Sequence, residues 1–210
     1  MSNAQELRLQ NAIKIAQVWY IEGRQLYLTA TFMREQWKIL HEATRKNKIL
    51  ELDSPQWLKV FGFARSASLL LGYSVEMFLK SGLVWNHYGC TPDTLDKNNK
   101  KFSHDYIKLA KGIGFPKKGN DDKNFALLRR FVTDIARYPY MKSNYEDFKG
   151  ISNNADKLKK MPNYEELKKI SSYFYGEEKF PELCNLAERC EAYAVHLINS
   201  NVYRKKAGQT

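Results

Sequence analysis

Cysteine is scarce in this chain: Cys90, Cys184 and Cys190 are the only three among 210 residues. That is too few for the disulfide framework of a small secreted domain. Cys184 and Cys190 fall six apart on one predicted helix and point to different faces, so they are not expected to bridge each other. No CxxC pair and no His-rich spacing occurs, so neither a metal nor another cofactor is expected. Proline and glycine are also sparse, at six and eleven, with long apolar-periodic segments between them. Such a distribution argues against turn-rich β architectures and for an all-α fold. The basic, glycine-bearing run GIGFPKKGND (112–121) lacks the GxxxxGK[ST] order of a phosphate-binding loop and reads as a connector. A secretory leader is not expected, because Glu6, Arg8 and Lys14 interrupt the first twenty residues in an amphipathic pattern. Glu76 and Lys80 likewise interrupt the best membrane-spanning candidate. The expectation is a reduced, cytoplasmic protein with no membrane partner. No internal repeat is visible.

What the chain does have is one long oily stretch, FARSASLLLGYSVEMFLKSGLVWNHY, from Phe63 to Tyr88. At about 3.6 residues per turn, Arg65, Gly72, Glu76, Lys80 and His87 fall near one stripe. Phe63, Leu71, Val75, Phe78, Leu79, Leu83 and Trp85 surround it. A helix apolar on nearly every side is a buried central one, so its polar stripe must find partners inside the protein. With 43% apolar and 13% aromatic residues, the chain is long enough for one domain with a sizeable core, and a second domain is not expected.

The remaining elements arrange themselves around that helix. Residues 5–22 carry Leu9, Ile13, Ala16 and Tyr20 on one stripe, and Leu26, Ala30, Met33, Trp37 and Leu40 continue beyond Gly23. With no Pro or turn cluster at Gly23, a nearly continuous helix is expected, to be covered by its own core or by a second subunit. Residues 1–52 therefore read as an N-terminal helical extension and 53–210 as a helical domain. Ser54-Pro55 predicts a helix start, a capping side chain followed by Pro at the first helical position. Ser103 is the expected cap of a short helix stopped by Gly112, and Asp121 or Asp122 the cap of a helix from about Lys123 to Arg137. Aromatic residues Tyr138, Tyr140, Tyr145 and Phe148 mark an irregular segment, followed by a helix near Tyr164–Tyr173. Pro181 opens the last helix, running to about Tyr203.

Lysine plus arginine exceed the acids by 34 to 23, a formal charge of +11. The excess gathers in connectors, at Lys97, Lys100 and Lys101, at Lys117 and Lys118, at Lys157, Lys159 and Lys160, and in the tail from Arg204. Surplus of this kind attracts phosphate backbones. On the last helix Arg189 and His196 are seven apart and share a side. An Arg can neutralise a phosphodiester while a His moves a proton between a ribose hydroxyl and the leaving oxygen, which is enough for metal-free RNA cleavage. The same spacing recurs at Arg34 and His41 on the N-terminal helix. A second candidate site is the buried stripe itself, where Glu76 and Lys80 make an i,i+4 pair that His104 and Arg137 could complete into a nucleotide or phosphate pocket.

The run GYSVEMFLKSGL (72–83), the segment SHDYIKLAK (103–111) and the RYP of 137–139 resemble HEPN-domain proteins. The resemblance covers about residues 57–203. It implies an up-down helical bundle of HEPN type with an additional long N-terminal helical region. It also implies RNA or nucleotide binding, dimerisation through paired last helices, and a setting in defence or toxin–antitoxin systems with an antitoxin partner. Many members are metal-independent endoribonucleases with an Arg, four to six intervening residues and a His near the domain end. Arg189 and His196 match that spacing and position, and are the catalytic pair the resemblance implies. Glu76, Lys80, His104 and Arg137 are the binding set. Cys190 departs from the pattern, since active members commonly carry a polar residue after the Arg. Two other readings stay open: a non-catalytic nucleotide- or protein-binding module, and a structural helical oligomer organised by the N-terminal helix.

Overall fold

Ser54 and Pro55 open the helix on which everything else packs. In a computed structural model, which describes residues 3–48, 54–86, 104–135 and 179–207, Pro55 takes the first helical position and the Ser54 hydroxyl accepts the Trp57 N–H at 3.4 Å. Side chains are placed over 15–48, 54–85, 104–133 and 179–199. The described elements are α1 (Asn3–Lys46), α2 (Pro55–Asn86), α3 (Tyr106–Ile113), α4 (Asp121–Arg130), a π-helical turn (Phe131–Ile135) and α5 (Lys179–Ala207). Among the described residues the fold is all-α, and no strand occurs.

α1 and α2 form a long antiparallel hairpin. Trp37 packs with Trp57 and Val60 near the connection, Tyr27 and Ala30 share a core with Val75 and Phe78, and Ala16 meets Val84 and Trp85 at the far end. The Ser81 hydroxyl donates to the Ala16 carbonyl at 2.8 Å, tying the two helices at the end away from their connection. α1 runs through Gly23 without a break. The glycine is there for proximity: a Cβ at Gly23 would lie 2.9 Å from the Phe78 ring and 3.1 Å from Met77 Cβ. Gly23→Ala removes up to about 1 kcal/mol of helix penalty but adds about 1–3 kcal/mol of overpacking. We expect a net loss, read as a fall in thermal unfolding temperature; a rise would mean that the two helices separate easily.

α2 is buried along most of its length, and α5 closes the core through Leu183, Leu186, Ala187 and Cys190. By length and composition α2 could cross a membrane, but 78% of its most apolar window is buried inside the helical assembly.

Helix boundaries differ from expectation at four places. The cap of α3 is Asp105, whose carboxylate accepts the Lys108 N–H at 3.2 Å. Its stop is Gly114, not Gly112: Gly114 has φ 71°, and the Phe115 N–H returns to the Ala110 carbonyl at 2.9 Å. α4 starts at Asp121, two residues early, because the Asp121 carboxylate is occupied elsewhere and does not cap a later start. α5 begins at Lys179, which leaves Pro181 in the first turn, where its missing N–H costs nothing. Cys184 and Cys190 are free thiols. Ser103, Arg137, His87, Cys90, the lysine clusters at 97–101 and 157–160, the aromatic segment 138–148 and the helix expected near 164–173 lie outside the described residues.

Candidate functional site

Four-residue spacing on α2 stacks Gly72, Glu76 and Lys80 on one side of the helix. The Lys80 ammonium lies 2.5 Å from Glu76 Oε1, and His104 Nδ1 lies 2.8 Å from Oε2. A carboxylate only accepts, so Nδ1 carries the proton of that bond and Nε2 is left as the second ring nitrogen. Tyr106 donates its hydroxyl to the Gly72 carbonyl at 2.9 Å and reaches Glu76 Oε2 at 3.5 Å. Burial, and then the Glu76 charge, push the Tyr106 phenol well above its ordinary value, so it stays a neutral donor. Exposure grades along the seam: the side chains of Glu76, Lys80 and His104 are 1%, 9% and 41% exposed. The carboxylate is sealed, the ammonium nearly so, and the imidazole spans from the interior to the surface. The Lys80 ammonium also sits 5.3 Å from the Trp19 ring centre, a cation–π contact from α1.

Gly72 brings a second layer against this seam. A Cβ there would meet Val132 Cγ2 at 2.7 Å and the Leu128 carbonyl oxygen at 3.1 Å, so α4 and the π turn press directly on the α2 backbone. The π turn widens the helix just beyond Arg129 and Arg130. Beside it lies a cleft of about 280 Å³, lined by Asp105, Tyr106, Phe125, Arg129, Arg130 and Thr133 among others. Tyr106 thus belongs to both features, touching the cleft on one side and the Gly72–Glu76 seam on the other. Burial tends to raise the Asp105 carboxyl, but the Lys108 N–H and ammonium hold it below its usual range. The cleft is therefore lined by two arginines, the Tyr106 and Thr133 hydroxyls and one ionised carboxylate. That is a chemistry suited to a phosphate group or a polar base edge.

The last helix is arranged differently. Arg189 makes a bidentate pair with Asp121 (Nη1 to Oδ1 and Nη2 to Oδ2, both 2.9 Å), and Nη2 also donates to the Pro116 carbonyl at 2.9 Å. Its guanidinium carbon stands 5.2 Å from the Phe115 ring centre. These contacts tie α5 to the connector between α3 and α4. His196 is exposed on the same side of α5, its ring 6.2 Å from Tyr193. Tyr193 donates to the carbonyls of Ile113 and Gly114, again at the α3 terminus. Cys190 is fully buried, and burial raises its thiol far above the ordinary range, so the position after Arg189 belongs to the core. Burial pushes Cys184 up to about 11. The repeated spacing at Arg34 and His41 serves packing: Arg34 lies 3.8 Å over Trp37, and His41 stacks on Trp37 at 4.9 Å with Trp57 against its edge.

The structure brings Glu76, Lys80 and His104 together and places Arg189 and His196 apart from them, on α5. Arg137 lies outside the described residues. Tyr106, Arg129 and Thr133 join the site without having been candidates from the sequence. Arg129 and Arg130 occur as a dipeptide in the last turn of α4, where cations are favoured by the helix dipole. That local preference hides any signal of a site. Among the described residues no three His, Cys, Asp or Glu side chains group as a metal site. Comparison with models of known protein families, with curated proteins and with solved structures gave no match.

Proposed function

We propose that the chain is a HEPN-like protein that binds RNA through its phosphates at the Arg129–Arg130 cleft, beside the seam made by Gly72, Glu76 and Lys80. The observation that carries this reading is the buried Glu76 carboxylate shared between Lys80 and His104. It fixes an imidazole that reaches the surface in the residue next to a cleft-lining pair, Asp105 and Tyr106. An imidazole held through Nδ1 loses little freedom when Nε2 accepts from a ribose hydroxyl or a base N–H, so the site is preorganised. The two arginines supply charge where it is needed, and the formal +11 of the chain supplies long-range attraction. The HEPN kinship rests on GYSVEMFLKSGL and SHDYIKLAK. The first carries Gly72, Glu76 and Lys80, and the second carries His104 and Tyr106.

Cleavage by Arg189 and His196 is the second reading, supported by their common side of α5. It requires the Arg189 guanidinium to leave Asp121 and Pro116, so binding without cleavage is preferred.

Fluorescence anisotropy with a short single-stranded RNA, titrated at several salt concentrations, tests both. Arg129→Ala and Arg130→Ala are each expected to weaken binding and to reduce the slope of log affinity against log salt by about 0.7, the value for one phosphate contact on a single strand. Slopes unchanged in both variants would place the RNA elsewhere. The same RNA incubated with EDTA should stay intact. Cyclic phosphate ends that disappear in His196→Ala would install the cleavage reading instead.

A further inference from the structure

α1 carries two apolar stripes on opposite sides, and among the described residues only one of them is buried. The inner stripe, Ala16, Gly23, Tyr27, Ala30, Arg34, Trp37 and Thr44, is buried against α2 and α5. The outer one consists of Val18, Ile21, Leu28, Phe32 and Ile39, each between 52% and 66% exposed. These are five of the seven large apolar side chains exposed among the described residues, so the exposure is concentrated, not scattered. Their spacing is three, seven, four and seven, the a and d positions of a heptad. Gln25 and Glu35 fill the two places where the pattern turns polar. From Val18 to Ile39 the seam runs three heptads, about 32 Å at 1.5 Å per residue, the minimum length at which a coiled-coil pattern carries weight.

We infer that this face pairs with the same face of a second copy of the chain, as an antiparallel two-helix coiled coil centred at Ala30. The two polar positions select both the partner and the direction. In a parallel pair Glu35 would stand against Glu35 and Gln25 against Gln25, placing like charges in the seam. Antiparallel, with residues whose numbers sum to 60 at the same height, Ile21 meets Ile39 of the second copy and Leu28 meets Phe32. In that register Gln25 meets Glu35, where an amide N–H donates to a carboxylate. Each contact occurs twice, as a two-fold axis requires. The cations flanking the seam do not oppose it: Arg24 is held by Glu191 at 2.7 Å and Lys38 by Glu35 at 2.8 Å. This dimer is built on α1 and leaves the cleft beside α3 and α4 untouched, so it stands independently of the RNA-binding reading.

Analytical ultracentrifugation of the full chain over a concentration series tests it. The wild type is expected to be a dimer. Phe32→Asp should raise its dissociation constant by at least about a hundredfold, because the central anchor is lost twice. The unfolding temperature of that variant's monomer should stay high, since Phe32 touches little of its own chain. Gln25→Lys should tighten the dimer by setting an ammonium against Glu35 of the other copy. A monomeric wild type overturns the inference, and so does a dimer indifferent to Phe32→Asp. Loss of monomer stability in Phe32→Asp also overturns it, by showing that the face is covered within its own chain. Loosening by Gln25→Lys overturns the antiparallel direction.

Discussion

Glu76→Leu is expected to destabilise the protein by about 3–5 kcal/mol, because it strands the Lys80 ammonium in the interior. The loss comes from what remains after the substitution. Lys80 keeps a side chain that is 9% exposed, and its nearest carboxylate, 2.5 Å away, is gone. His104 Nδ1 and Tyr106 lose an acceptor in the same step, although Tyr106 retains the Gly72 carbonyl. At roughly 2–4 °C per kcal/mol for a chain of this size, thermal unfolding should fall by about 6–20 °C. Replacing both members, Glu76→Leu with Lys80→Met, removes the charges together and should recover most of the loss. An apolar pair of similar volume is often as stable as a buried ion pair. The double-mutant cycle measures the coupling directly. A single-variant loss under about 1 kcal/mol would mean that water reaches the pair, as it does for surface ion pairs. The double variant also separates architecture from binding: it keeps the core but leaves His104 without its anchor. RNA affinity should therefore fall while the unfolding temperature drops far less than in Glu76→Leu alone.

Arg189→Ala is expected to cost about 3 kcal/mol, the low end of the range for breaking a buried pair, since its guanidinium side is a quarter exposed while the partner is sealed. Asp121 is buried and, among the described residues, would keep only the Lys118 N–H, at 2.6 Å, against its charge. The Pro116 carbonyl would lose its donor, and α5 its tie to the connector between α3 and α4. Arg189→Lys should recover only part of this, because one ammonium cannot make two parallel bonds and a third to a carbonyl. His196→Ala, on an exposed surface, should change stability by no more than about 0.5 kcal/mol. Thermal unfolding of the three variants side by side checks the assignment. An unchanged unfolding temperature in Arg189→Ala would mean the ion pair is dispensable, and would return Arg189 to the list of groups free to hold a phosphate.

The contrast between these two sites explains how much the sequence could tell. Glu76 and Lys80 are four apart on a helix whose other faces are apolar, so their pairing and burial follow from periodicity alone. His104 is 28 residues from Glu76, and no spacing within a helix ties its ring to that carboxylate. Arg189 and His196 also share a helix side by spacing. What spacing cannot state is that Asp121, 68 residues earlier, already holds the guanidinium. Tyr106 shows the same limit in reverse: nothing local marks it, and its role arises because α3 crosses α2 at Gly72. Gly23 reads as a weak point in a helix and is instead the close approach of two helices. Gly114, two residues past the expected stop, ends α3 because it adopts a positive φ, and which of two nearby glycines does so depends on the chain that follows.

Apolar periodicity, few prolines and a Ser-Pro start were sufficient by themselves to determine an all-α chain with a buried α2 and a charged pair inside it. These are properties of single helices, set by intervals of three and four residues. Which charges meet across helices, where the cleft opens, and which face of α1 is left uncovered were decided only by the tertiary packing. The physical reason is that ion pairs and clefts depend on distances between segments dozens of residues apart, and no repeat within one helix encodes those distances.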